Sequence, residues 1–202
     1  MKSKLILSVA AFVAFVGPAA FAQTTTSTPT NTNPPTIADR KTDQQDRISN
    51  GVADGQLTPG ETKNLETKEA GINQQERTMR SDDDGHLTAA DRAKINNQQN
   101  HLSNQIYDDK HNATTDHFGN GEVGQRQENQ QDRIAQGMKS GQLTAGESAR
   151  LENQQQSINQ EKRGMKAADG GKLTAGDKAV LNKRENNASK NIYNKKHNTT
   201  KR

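Results

Sequence analysis

Hydrophobic side chains recur along the chain at helical spacing, and most of the intervening positions are polar. Leu65, Ile72 and Met79 follow one another at intervals of seven residues, and the same spacing returns from Leu151. Each apolar stripe is narrow, with about one large aliphatic side chain for every two helical turns. In the first half of the chain this pattern predicts three helices, at about 41–53, 58–80 and 88–110.

A heptapeptide of the form Gly-x-Leu-Thr-x-x-(Glu/Asp) occurs four times and is typical of a joint between two helices. Glycine tolerates the positive φ that ends a helix. The threonine hydroxyl caps the next helix, and the acid three residues later completes a capping box. The predicted turn and cap residues are Gly55, Thr58, Glu61, Gly85, Thr88, Asp91, Gly141, Thr144, Glu147, Gly171, Thr174 and Asp177.

The segment that begins at Gln44 returns without a gap 86 residues later, at Gln130. An ungapped register of this length indicates an internal duplication. The predicted fold class is all-α, with tandem helix–turn–helix hairpins in two duplicated three-helix units that are extended and marginally packed. The predicted boundaries are 41–112 for unit 1, 113–127 for a linker, 128–198 for unit 2 and 199–202 for a basic tail.

The first 22 residues have the order of a secretory signal peptide. Lys2 and Lys4 precede an apolar run at 5–16, and Ala20-Phe21-Ala22 is a small-x-small cleavage signal. The next segment, 23–40, is predicted to be a disordered tether rich in Thr, Pro and Asn. The expected location is therefore secreted or periplasmic, with no transmembrane segment after cleavage.

The composition argues against catalysis and against nucleic-acid binding. Hydrophobic residues make up 28% of the chain, against about 45–50% in ordinary globular domains. There is no Cys, no Gly-x-Ser-x-Gly elbow, no His-Glu-x-x-His and no phosphate-binding loop. The aromatic side chains on which single strands stack are scarce. We therefore predict a protein that is not an enzyme, has no cofactor and binds no nucleic acid.

The two halves of the chain carry opposite net charges. Residues 39–118 contain 15 acidic and 10 basic side chains, whereas 119–202 contain 9 acidic and 16 basic ones. Exposed helices can change their net charge at random after a duplication, which would explain the difference without any function for it. The alternative is that unit 1 docks on unit 2, within one chain or by self-association, because opposite charges steer such contacts.

One turn resembles the calcium-binding loop of the EF-hand family. With Gly85 as the sixth residue of that loop, the resemblance makes Asp82, Asp84 and Asp91 oxygen ligands of Ca²⁺. Arg80 occupies the first position, where the family has Asp. The other three heptapeptides keep the turn without these ligands, which favours a structural turn and leaves a calcium site as the alternative.

The repeated turn, together with the duplicated Ile-Tyr-x-x-Lys-His-Asn that begins at Ile106 and Ile192, resembles secreted bacterial proteins with Gly-x-Leu-Thr-x-x-Glu helical repeats. A weaker likeness is to periplasmic helical chaperones with Leu-Thr-x-x-Gln repeats. The predicted function is non-enzymatic and acts by contacts with an unknown protein partner, as a scaffold or a chaperone-like binder. The alternative is a calcium-binding protein with EF-hand-like loops.

Overall fold

The computed structural model describes residues 34–115 and 118–200. The predicted signal peptide, residues 23–33 of the tether, residues 116–117 of the linker and residues 201–202 of the tail lie outside the described residues. The described part consists of helices joined by turns, which confirms the all-α class. The helices are α1 (Ile37–Ala53), α2 (Pro59–Asp82), α3 (Ala89–His111), α4 (Glu122–Lys139), α5 (Ala145–Ala168) and α6 (Ala175–Lys196).

Five of these six helices begin with the same capping box. At the start of α2, Thr58 Oγ1 accepts from the Glu61 amide at 3.3 Å, and Glu61 Oε2 accepts from the Thr58 amide at 2.9 Å. These bonds satisfy backbone N–H groups that have no partner inside the helix. The exception among the six is α4, whose N-cap Gly121 makes no side-chain hydrogen bond to the helix.

Two helices begin earlier than the sequence pattern predicts. The tether was expected to run to residue 40, but α1 begins at Ile37 because Thr36 and Asp39 form a capping box. The linker was expected to run to residue 127, but α4 begins at Glu122. The Thr-x-x-Asp pattern at Thr36 is the signal that identifies the first start, whereas no side-chain cap marks the second.

The first turn of each unit is held by its leucine against the preceding helix. Leu57 donates its backbone N–H to the Gly51 carbonyl at 3.0 Å, and Leu143 does the same to Gly137. A Cβ on Gly51 would stand 2.8 Å from the Leu57 side chain, and one on Gly137 would stand 2.7 Å from Leu143. Any larger residue at these two helix positions would therefore force the turn leucine to shift.

The two units pack against each other in an antiparallel and reciprocal way. Gly60, near the start of α2, lies beside Gln156 of α5, and Gly146, near the start of α5, lies beside Ala70 of α2. Because Gly146 and Gln156 are the 86-residue counterparts of Gly60 and Ala70, each unit presents the same face to the other. This is the pattern of an isologous interface, here within one chain.

The hydrophobic core crosses the boundary between the units. One buried cluster contains Ile48, Leu65 and Ile106 of unit 1 together with Ile134 and Leu151 of unit 2. The sequence pattern predicts extended hairpins, and the structure differs because the narrow apolar stripe of each unit packs against that of the other. A smaller cluster within unit 2 contains Val123, Ile158, Leu181 and Ala188.

Candidate functional site

The EF-hand-like loop is arranged as a turn between α2 and α3. Asp82 is the last residue of α2, and Asp84 has a φ of 51°. Asp91 Oδ2 accepts from the Thr88 hydroxyl at 2.6 Å and from its amide at 3.1 Å, bonds that lower the pKa of Asp91. Within the ranges that the structure describes, no three His, Cys, Asp or Glu side chains are grouped as a metal site.

Arg80 takes part in closing this turn. Its guanidinium donates to the Gly85 carbonyl at 3.3 Å and to Glu76 Oε1 at 2.9 Å, and its own carbonyl accepts from the Gly85 amide at 2.7 Å. A cation therefore stands where an EF-hand loop has its first carboxylate. We predict no heat of specific binding when Ca²⁺ is titrated calorimetrically; a fitted site that disappears in Asp84→Ala would contradict this prediction.

The heptapeptide threonines give a direct stability prediction. We expect Thr58→Ala to lower the free energy of unfolding by about 1 kcal/mol, because the Glu61 amide loses its acceptor. Thr58→Ser keeps the hydroxyl and serves as the matched control, with a smaller loss. Urea unfolding followed by circular dichroism measures both variants, and equal losses in the two would contradict the capping role.

The duplicated Tyr-x-x-Lys-His-Asn sequence closes the last helix of each unit. In unit 1 the Tyr107 and His111 rings stack with centroids 4.1 Å apart, and His111 Nδ1 lies 2.7 Å from the Tyr107 carbonyl oxygen. Because a carbonyl only accepts, Nδ1 is the donor, and this bond fixes the imidazole ring against the last turn of α3. Tyr193 and His197 repeat this arrangement at the end of α6.

The asparagine of the same motif connects the end of each unit to a capping box. Asn112 Nδ2 donates to Glu61 Oε1 at 2.7 Å, and Asn198 Nδ2 donates to Glu147 Oε1 at 2.5 Å. The end of α3 is thereby bound to the start of α2, and the end of α6 to the start of α5. The duplicated motif is thus accounted for by structural contacts, although Tyr107 and Tyr193 remain more than half exposed.

The interior of the protein contains many amide and carboxyl side chains. Gln45 Nε2 donates to Glu66 Oε1 at 2.9 Å, and its counterpart Gln131 Nε2 donates to Glu152 Oε2 at the same distance. All four side chains are buried. Such pairs satisfy polar groups that would otherwise cost free energy inside a core. They are the main part of the interior that hydrophobic periodicity does not predict.

Unit 2 contains a buried charged cluster that unit 1 lacks. Glu185 of α6 is fully buried, and burial raises its pKa to about 7, while Arg126, the Gln130 amide and Lys162 partly counteract this increase. Lys162 of α5 donates to Gln127 and, at 3.1 Å, to the Phe118 carbonyl. The sequence patterns did not predict this cluster. The one sequence feature that could have indicated it is the difference between the matched residues Gln99 in unit 1 and Glu185 in unit 2.

A groove opens between α2 and α3 in unit 1. Its volume is about 330 Å³, its floor contains Ile72 and Leu102, and Gly71 leaves its wall open. A Cβ built on Gly71 would meet nothing within 4 Å. The remaining lining residues are Lys68, Gln98, His101 and Gln105. Sequence reasoning treated Gly71 only as a weak point in a helix.

The corresponding surface of unit 2 carries different side chains. Ser157 replaces Gly71, Ala188 replaces Leu102, and Arg184 replaces Gln98. Arg184 Nε donates to Glu161 Oε2 at 2.8 Å, so an ion pair joins α5 and α6 there. The α2/α3 groove is therefore a feature of unit 1 that its counterpart does not reproduce residue by residue.

The unequal charges of the two units are not reflected in the ion pairs that hold the described helices. Four pairs each join residues of a single unit, such as Arg47–Asp43 in unit 1 and Lys195–Glu147 in unit 2. Contacts between the units include Lys63 Nζ donating to Gln156 Oε1 at 3.2 Å. Self-association through opposite charges therefore stays a prediction.

None of the helices in 34–115 and 118–200 is both long enough and apolar enough to cross a membrane. Comparison with protein-family models, with characterised proteins and with solved structures gave no match.

Proposed function

We propose that this chain is a non-enzymatic secreted or periplasmic protein that acts by protein–protein contacts, as a scaffold or a chaperone-like binder. In this proposal the α2/α3 groove receives one aliphatic side chain of a partner polypeptide. A carboxylate of the same partner lies next to that side chain. The observation that carries the proposal is the groove itself, present in unit 1 beside Gly71.

The shape of the groove favours a single side chain. A volume of about 330 Å³ is at the lower end of the range for ligand sites, about 300–1,000 Å³. Ile72 and Leu102 offer an apolar floor, so an aliphatic group gains free energy by leaving water there. An amphipathic segment that inserts one anchor residue between two helices makes this kind of contact.

The polar rim determines the charge of the expected partner. Lys68 and His101 line the groove, and the remaining polar lining residues are the amides Gln98 and Gln105. Lys68 Nζ donates to Gln105 Oε1, which holds the ammonium at the rim. Because no carboxylate lines the groove, an acidic residue beside the aliphatic anchor matches it electrostatically.

The proposal is tested with synthetic peptides and a matched pair of variants. Fluorescein-labelled peptides of about 12 residues carry leucine beside glutamate, leucine beside lysine, or alanine beside glutamate, and anisotropy measures their binding. We expect the leucine–glutamate peptide to bind best. Gly71→Leu fills the groove and should weaken this binding about tenfold or more. Ser157→Leu, at the counterpart position in unit 2, should leave it unchanged.

Each outcome of this experiment is informative. Equal binding by the leucine–glutamate and leucine–lysine peptides would leave the groove in place and contradict the charge preference. No binding by either leucine peptide, or equal weakening by both variants, would contradict the proposed function.

Gly71 also allows a stability prediction that checks the folding of the groove variants. We expect Gly71→Ala to raise the free energy of unfolding by about 0.5–1 kcal/mol, because alanine favours a helix interior. Its methyl group meets no neighbour within 4 Å. Thermal unfolding followed by circular dichroism measures the change, and a lower midpoint in Gly71→Ala would mean that the helix needs glycine there.

A further inference from the structure

The buried carboxyl of Glu185 has no assigned role in the proposed function. Both carboxyl oxygens of Glu185 are buried, and neither has a donor at ordinary hydrogen-bond distance. The nearby Gln130 amide lowers the pKa of this carboxyl less than burial raises it. The amide of Gln130 lies beside this residue but donates to the Glu185 backbone carbonyl, at 3.0 Å. A carboxyl in this environment is more stable with its proton than without it.

Two charged groups face Glu185 from the two helices packed against α6. Arg126 comes from α4, and its guanidinium donates to Asn182 at 3.2 Å and to Asn186 at 2.6 Å. Lys162 comes from α5. Both favour the ionised carboxyl, yet burial dominates, so the pKa of Glu185 is raised from an ordinary value of 4.5 to about 7.

Lys162 links this cluster to residues 118–121, which directly precede α4 and are called the joining segment below. Its ammonium donates to the Phe118 carbonyl at 3.1 Å and lies 5.6 Å from the centre of the Phe118 ring. The same segment is packed on the first turn of α4, where Gly124 is in close contact with the carbonyl oxygens of Phe118 and Gly119. The joining segment and α4, α5 and α6 therefore meet around one ionisable carboxyl.

Unit 1 provides an internal comparison. Gln99 stands at the position of Glu185, and its Nε2 donates to the Ile37 carbonyl at 2.9 Å, next to the start of α1. The Gln99 side chain cannot ionise, so this position in unit 1 is uncharged at every pH. At this matched position, unit 2 therefore has a group that can bind and release a proton, and unit 1 has none.

We propose that Glu185 is a pH-sensitive device, which holds the joining segment and the start of α4 against α5 and α6 while it is protonated and loosens them when it ionises. This regulation is separate from the peptide groove of unit 1. Its sign follows from linkage: the folded protein binds the proton more tightly than the unfolded chain. The stabilisation is complete below about pH 4.5 and is lost as the pH rises through about 7.

Hydrogen exchange of the full-length mature protein tests the proposal. Mass spectrometry compares protection at about pH 5.5 and about pH 8, after correction for intrinsic exchange. We expect protection of residues 118–131 and 181–192 to fall about tenfold or more at the higher pH, while 37–45 and 95–106 change little. Glu185→Gln, which copies the residue of unit 1, should remove the response.

Two further measurements keep the proposal falsifiable. Gln99→Glu should create a similar pH response in unit 1, which separates the effect of the carboxyl from that of unit 2 as a whole. The Glu185 side-chain carboxyl carbon should titrate in NMR with a midpoint near pH 7. Unchanged protection in the wild type, a response that persists in Glu185→Gln, or a midpoint near 4.5 would overturn the proposal.

Discussion

Replacing Leu65 by alanine is expected to lower the free energy of unfolding by about 2–5 kcal/mol. Leu65 is 0% exposed and lies in the cluster that contains side chains of both units. The loss combines the apolar surface that alanine no longer buries with the cavity that it leaves. Denaturant unfolding measures the change, and Val180→Ala, at a position that is 46% exposed, should alter stability by less than about 0.5 kcal/mol.

The location of the effect distinguishes a shared core from independent hairpins. If the units form one core, Leu65→Ala in α2 should also lower the hydrogen-exchange protection of α5, which lies against α2. In independent hairpins only α1, α2 and α3 would lose protection. Unchanged exchange in α5 together with a large loss in α2 would contradict the shared core.

The second large effect is expected from Gly124→Ala in the first turn of α4. A Cβ there would overlap the carbonyl oxygens of Phe118 and Gly119, and the Gly119 carbonyl carbon would be 2.9 Å away. Since these are backbone atoms, the joining segment itself must shift. We expect a loss of about 3 kcal/mol, at the upper end of the usual range for overpacking.

Gly164→Ala in α5 is the matched control for this substitution. No atom lies within 4 Å of a Cβ at Gly164, so alanine should stabilise that helix by about 0.5–1 kcal/mol. Thermal unfolding of the two variants should therefore shift in opposite directions. A stabilised Gly124→Ala would mean that the joining segment is not packed on α4 as described.

The helices themselves could be predicted because their signals are local. Seven-residue spacing located α2 and α5, and the threonine and acid of the heptapeptides located four helix starts within one or two residues. The start of α1 is equally local, since Thr36 and Asp39 form a capping box. The start of α4 is different, because its N-cap Gly121 has no side chain to form a capping bond and so leaves no local signal in the sequence.

The candidate sites were harder to predict from the sequence than the helices. The acidic composition of the loop around Asp84 resembles that of a calcium-binding loop. In the structure, Asp91 accepts a hydrogen bond from Thr88, and Arg80 donates one to the Gly85 carbonyl within the turn. The groove and the Glu185 cluster depend on neighbours far along the chain. Gln130 and Lys162, for example, meet the surroundings of Glu185 only after three helices have packed together.

By itself, the sequence determined where helices form, how most of them begin and that a unit of 86 residues recurs. These features depend on φ preferences, capping bonds and side-chain period, all of which act within a few residues. Only the tertiary structure decided that the two apolar stripes close on each other, that Gly71 opens a groove and that Glu185 is cut off from water. Burial is a property of the assembled helices, because a side chain loses solvent only when a distant part of the chain covers it.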